Sequence, residues 1–216
     1  MSSILFTFRR ASNWLGLALL LVILGGCRQV DPVLKIGFVA PFEGRYRPVG
    51  YDALYSARLA IREINAAGGL NGYRLELVVL DDGGDPALAR QVAESLLIDP
   101  EVILVIGHWL PETNAVAGPL YAAGGLAFLP AGEPPLTSFA PELLPADFLS
   151  RYAGVTPFAE TAGPYAGPAY DSLQLALAAI SRATEATDPN RATIREALAR
   201  TTIEGLTGTI ILPGGS

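Results

Sequence analysis

The chain has 216 residues, 50% of them hydrophobic and 17% charged, with 15 Lys and Arg against 21 Asp and Glu and a single His. This profile excludes a disordered chain, a coiled coil and a polybasic nucleic-acid binder, so no nucleic acid is expected as a partner. The 23 Gly and 17 Pro are scattered between periodic apolar segments, the pattern of a globular protein with many loops.

Residues 1–26 read as a targeting segment: Arg9-Arg10, an apolar run from Trp14 to Leu24, then Gly25-Gly26-Cys27. Leu24-Gly25-Gly26-Cys27 resembles the lipobox of bacterial lipoprotein signal peptides, which makes Cys27 the lipidated first residue of the mature chain. The alternative is a plain N-terminal membrane anchor with an incidental cysteine, but the run is short for a span. Arg9 and Arg10 are the only charged side chains before Cys27, so residues 27–216 carry 13 basic and 21 acidic groups and a net charge of −8. With no second cysteine, no disulfide can form within that chain.

From residue 33 onward, β-rich runs alternate with helical periods, which predicts an α/β fold: a doubly wound parallel sheet in a three-layer αβα arrangement. A strand is expected over 34–40, ended by Pro41 and Gly44, and then a helix from Gly50 to Gly68-Gly69 with Ala53, Ala57, Ala60, Ile61 and Ile64 on its apolar face. The second strand is 75–80. Asp85 then caps a helix that has Pro86 at its first position. Residues 102–106 form a strand buried on both faces, 112–123 a third helix, and 126–129 a short fourth strand.

Pro130, Pro134, Pro135, Pro141 and Pro145 mark a junction. Beyond it come a short helix near 148–152, a Gly/Pro loop to Pro168, helices over 171–183 and 190–200, and one last strand over 207–212. The expected organisation after the leader is a single domain over 27–216: 33–135, a Pro-rich junction at 136–147, and a returning part at 148–212.

Several phrases in this order resemble the type I periplasmic binding proteins of the leucine/branched-chain amino-acid ABC transporter family. They are Lys35-Ile36-Gly37 leading to Pro41 and Gly44; Ile64-Asn65-Ala66-Ala67-Gly68-Gly69-Leu70-Asn71-Gly72; Asp81-Asp82 with Asp85-Pro86; Gly107-His108; Tyr170-Asp171; and Ile203-Glu204-Gly205-Leu206-Thr207-Gly208-Thr209-Ile210. The resemblance implies a non-catalytic, extracytoplasmic, lipid-anchored solute-binding protein. Its partners would be a small polar solute, amino-acid or amide-like, an ABC permease, and the membrane through the lipid. Such proteins have two lobes that close on the ligand. At about 100–150 residues per lobe, the mature chain leaves room for one, so most of the second lobe is expected to be missing. A homodimer is the simplest cover for an exposed lobe-one cleft. The alternative is a truncated remnant that binds no solute.

In an open parallel sheet, ligands bind beyond the carboxyl ends of the strands, which here selects the loops 41–50, 107–114 and 130–134. The family places a Ser and a Thr in the second and third of these to hold the ligand carboxylate. Pro111 and Glu133 stand at those positions, which disfavours a carboxylate there, while Thr113 is placed to compensate. The candidate ligand-binding residues are Glu43, Arg45, Tyr46, Trp109, Pro111, Glu112, Thr113, Gly132 and Glu133. The three glutamates suit a neutral polyol or a cationic group stacked on Trp109 or Tyr46, or are solvated loop carboxylates. His108 reads as a structural loop residue and Asp81-Asp82 as turn and cap residues. No metal-ligand spacing, Gly-rich phosphate loop or nucleophile–base pair is legible, so neither a cofactor nor an enzymatic activity is expected.

Overall fold

The computed structural model describes residues 31–212; the leader, Cys27 and the lipid-attachment expectation lie outside them. Its centre is a parallel sheet of β1 (Val33–Ala40), β2 (Arg74–Asp81), β3 (Val102–Gly107) and β4 (Ala127–Pro130) in the order β2-β1-β3-β4. The register pairs Ala40 with Asp81, Phe38 with Ile106, and Gly107 with Pro130. All six residues of β3 are buried, as its unbroken apolar run predicts for a strand covered on both faces.

Helices cover both faces and give the expected α/β three-layer arrangement. On one side, Ile36, Phe38, Leu104 and Ile106 pack against α1 (Arg47–Ala66), α5 (Ala166–Ala186) and α6 (Arg191–Ala199). On the other, Val39, Val102 and Val105 pack against α2 (Pro86–Ile98) and α3 (Pro111–Ala123). The small α4 (Ala146–Ala153) adds Phe148 and Tyr152 to a third cluster with Tyr55 and Leu59 of α1.

Local chemistry places these helices as the sequence predicts. Asp85 Oδ1 accepts from the backbone N–H groups of Ala87 and Leu88 at 2.7 and 2.9 Å, with Pro86 at the first helical position where its missing N–H costs nothing. Asn190 and Thr193 form a reciprocal capping box at the start of α6. The Arg191 guanidinium then donates to the carbonyls of Leu96, Leu97, Asp99 and Val102, which ties α6 to the carboxyl end of α2.

The junction packs onto the body. Leu136 and Leu144 are buried, Phe139 N–H donates to Pro164 O, and a short 3₁₀ turn spans Pro141–Leu143. The predicted final strand over 207–212 is instead an antiparallel hairpin, β5 (Thr202–Gly205) and β6 (Gly208–Ile211), separate from the parallel sheet.

The cause is the buried Asp171 within α5. Its carboxylate accepts from Leu206 N–H (2.7 Å), Thr207 N–H (2.9 Å) and the Thr207 hydroxyl (2.6 Å), so it holds the turn. A Cβ on Gly205 would stand 2.5 Å from the Asp171 carboxyl carbon, so only glycine admits this approach. Two phrases far apart in the sequence, Tyr170-Asp171 and Gly205-Leu206-Thr207-Gly208, are therefore two halves of one contact. α5 also begins at Ala166, earlier than expected, because Pro168 falls in its first turn, where no intrahelical N–H bond is lost.

Candidate functional site

Between β1 and β3 the chain connections leave in opposite directions, and the crevice at the carboxyl ends of these strands is the expected ligand position. Hydrogen bonds from β2 hold its walls. Asp81 Oδ1 accepts from Phe42 N–H at 2.8 Å and Gly83 N–H at 2.7 Å, fixing the loop after β1. Asp82 accepts from Gly84 N–H and meets His108 Nδ1 at 2.9 Å, while His108 Nε2 lies 3.0 Å from the Tyr121 hydroxyl.

Asp82, His108 and Tyr121 are fully buried. Burial, with the Asp82 charge behind it, pushes the Tyr121 hydroxyl well above its ordinary pKa, so it keeps its proton and donates to Nε2. Nδ1 faces the Asp82 carboxylate, so both ring nitrogens have a hydrogen-bond partner. His108 is thus a structural loop residue, as its sequence context implied, and Asp81 and Asp82 are turn and anchor residues.

Trp109 corrects the expectation of a stacking surface. It is 2% exposed, and its ring centroid lies 6.2 Å from that of Phe38 and 6.0 Å, edge to face, from that of Tyr165. Its backbone has φ +69°, a left-handed conformation uncommon for a bulky residue, and its buried indole N–H has no hydrogen-bond partner. The ring is part of the core and offers no face to a solute.

Thr113 is corrected for a similar reason. It is buried, and its hydroxyl is engaged by the carbonyl of Leu110 at 3.0 Å, so it offers no donor to a solute. Pro111 opens α3 and is exposed, and Glu112 puts its own carboxylate in the first turn, where the helix would otherwise favour an anion. Gly132 N–H is used by Leu136 O, and Glu133 Oε1 accepts from Asn114 Nδ2 at 2.7 Å. Glu43 and Arg45 are exposed and Tyr46 half-buried, with the Arg45 guanidinium 4.5 Å above the Tyr46 ring.

A cavity lies beside the first turns of α1. Tyr51, Asp52, Tyr55, Tyr152 and Tyr165 line a mainly apolar cavity of about 440 Å³, and a second of about 490 Å³ shares Tyr51 and Tyr55 and adds Arg45 and Arg47. Asp52 builds its wall. Its carboxylate accepts from Gly163 N–H (2.8 Å), Tyr165 N–H (2.6 Å) and the Tyr152 hydroxyl (2.9 Å), which pulls the loop before α5 onto α1. Burial raises the Asp52 pKa above the ordinary value, against these bonds. Of the sequence candidates, Arg45 alone is among the residues lining these two cavities. Tyr51, Asp52 and Tyr55 carried no signal beyond an acid set among aromatics on a helix.

A family model described as periplasmic binding protein matches residues 33–143, and the chain belongs to that family. The amino acid binding protein of Pseudomonas aeruginosa is 35% identical over 98 residues, 45% of this chain and 26% of that protein. The Leu/Ile/Val-binding protein homolog 1 of Brucella abortus is 34% identical over 118 residues, 54% of this chain and 31% of that protein. The chain thus spans between a quarter and a third of the length of these curated relatives.

Two solved structures share the fold. LivJ of Streptococcus pneumoniae, a branched-chain amino acid transporter substrate binding protein solved with isoleucine, aligns with a TM-score of 0.66 at 15% identity, covering 85% of this chain and 97% of that one. The leucine binding protein LivK of Thermotoga maritima aligns at 0.67 and 12% identity, covering 84% and 92%.

Proposed function

We propose that this chain is an extracytoplasmic solute-binding protein, held to the membrane by a lipid on Cys27, that captures a small polar solute and delivers it to an ABC permease. The observation that carries the reading is that the family segment, residues 33–143, folds as a doubly wound parallel lobe with cavities open beside its β1-to-α1 connection. The names of the relatives point to amino acids or their amides as the first solutes to test. No nucleophile, base or cofactor enters this role. A second protomer is the simplest source of a covering face, as a second lobe is in two-lobed binding proteins.

A second reading, a remnant that binds no solute, is favoured by one observation: Trp109, in the loop after β3, is buried in the core and offers no face to a solute. Thermal unfolding with amino acids, amides, polyols and carboxylic acids separates the two. A solute at 100 times its Kd adds about 2.7 kcal/mol, which for this size raises the midpoint by roughly 5–10 °C. A shift with one compound supports capture; a cooperative melt that no compound moves supports the remnant.

A further inference from the structure

The two adjoining cavities beside α1 divide their charges. The first, of about 440 Å³, is lined by Tyr51, Tyr55, Tyr152 and Tyr165 together with the acids Asp52 and Glu160, and no Lys, Arg or His among the described residues borders it. Arg45 and Arg47 line the second, in which Glu160 also takes part. The two linings together are neutral, but within the first every formal charge is negative.

Tyr51 and Tyr55 lie 6.1 Å apart between centroids, and Tyr55 meets Tyr152 edge to face at 6.2 Å, so three of the four rings are contiguous. An aromatic face is negative at its centre and attracts a cation, more strongly where water is excluded. The chain already uses one ring in this way, with the Arg47 guanidinium 4.6 Å from the Tyr51 centroid, while Tyr55, Tyr152 and Tyr165 have no such contact among the described residues. Asp52 decides which kind of cation fits. Its carboxylate accepts from Gly163 N–H, Tyr165 N–H and the Tyr152 hydroxyl, so every partner is a donor, the arrangement that suits the charged form. About three of its four lone-pair sites are then taken. A primary ammonium has three N–H groups to place and finds few acceptors at Asp52, whereas a quaternary ammonium has none and needs only the charge and the ring faces.

We infer that this tyrosine-lined cavity beside α1, bordered by Asp52 and Glu160, is a binding site for a quaternary ammonium ion that carries no carboxylate. The inference rests on the solute-binding reading, names a solute class that the names of the relatives do not, and places it beside α1 instead of at the strand ends. The methyl groups displace water from the tyrosine faces, and the fixed charge lies against Asp52 with Glu160 at the exposed side. The volume is ample for a trimethylammonium head and a short tail.

The test is calorimetric titration of the purified full chain with choline, with its neutral isostere 3,3-dimethylbutan-1-ol and with ethanolamine, repeated on Thr161→Arg, Thr161→Gln and Glu160→Gln, all at exposed lining positions. Circular dichroism checks that each variant keeps the fold. Choline should bind at least about tenfold more tightly than either the isostere or ethanolamine, a factor equivalent to about 1.4 kcal/mol. Thr161→Arg, which brings a guanidinium into the lining, should remove that factor, Thr161→Gln should keep it, and Glu160→Gln should weaken choline about two- to fivefold. Equal binding of choline and the isostere, or tighter binding of ethanolamine, overturns the quaternary ammonium assignment. Choline that binds the wild type and Thr161→Arg alike overturns the site while leaving the solute-binding reading intact, as does a melt raised by an amino acid, amide, polyol or carboxylic acid but not by choline. If neither choline nor any solute of that panel binds, the site and the reading fail together.

Discussion

Replacing Asp171 by Ala should unlatch the hairpin from α5. The carboxylate holds two backbone N–H groups, of Leu206 and Thr207, and the Thr207 hydroxyl, all within 2.9 Å, and the residue is fully buried. A donor left without a partner in such surroundings costs about 1–3 kcal/mol. The wild type already bears a penalty for burying the carboxylate, which raises its pKa, and this offsets part of the loss. The net cost is about 3 kcal/mol, or a fall in melting midpoint of roughly 6–12 °C for a chain of this length. Asp171→Asn should lose nearly as much, because an amide nitrogen would face one of the two N–H donors. Denaturant titration gives the stability, and amide hydrogen exchange at Leu206 and Thr207 gives the local effect. A stability within about 1 kcal/mol of wild type, with both amides still protected, would refute the argument.

Trp109→Ala should cost about 3–5 kcal/mol by leaving a cavity, whereas Trp109→Phe should cost far less, since it keeps most of the packing and removes an indole N–H that has no partner; equal losses on denaturant titration would contradict a core role. Tyr121→Phe takes the donor from His108 Nε2 and should destabilise by about 1–3 kcal/mol, measured the same way. Asp52 and Asp171 both have raised pKa values in the folded chain, so the folded state retains protons that the unfolded chain releases. Their contribution is fully present below the ordinary Asp value and is lost as pH rises through the raised folded values. Their contribution to the melting midpoint should therefore grow as pH falls towards the ordinary Asp value, and Asp52→Asn should flatten that gain; parallel profiles would contradict it.

Much of the scaffold was legible because its signals are local. Asp85-Pro86 states a helix start by itself, and the unbroken apolar run of β3 states burial on both faces. The candidate site was less legible. The rule that ligands sit beyond strand ends selects loops and says nothing of where a side chain in them points. Trp109, in a left-handed backbone conformation, is packed inward against Phe38 and Tyr165, whereas an aromatic residue after a strand reads as a surface for solute.

The α1 cavity depends on partners far along the chain. Asp52 meets Tyr152, Gly163 and Tyr165 across 100 to 113 positions, and no periodicity connects them. The hairpin at the end did carry a signal, two residues flanked by Gly205 and Gly208, but the apolar character of 210–212 outweighed it in a reading by strand runs.

The account turns on Trp109 staying in the core while solute binds elsewhere on the lobe. The chain has two tryptophans, Trp14 in the leader and Trp109, so the indole N–H resonance of Trp109 can be assigned by one substitution. The decisive measurement is that resonance during titration with a solute that raises the melting midpoint. The account predicts that it stays in place and protected from solvent exchange while tyrosine ring resonances of α1 shift. Movement or fast exchange of the Trp109 indole on binding would show that the ring leaves the core to admit the solute, and would contradict it.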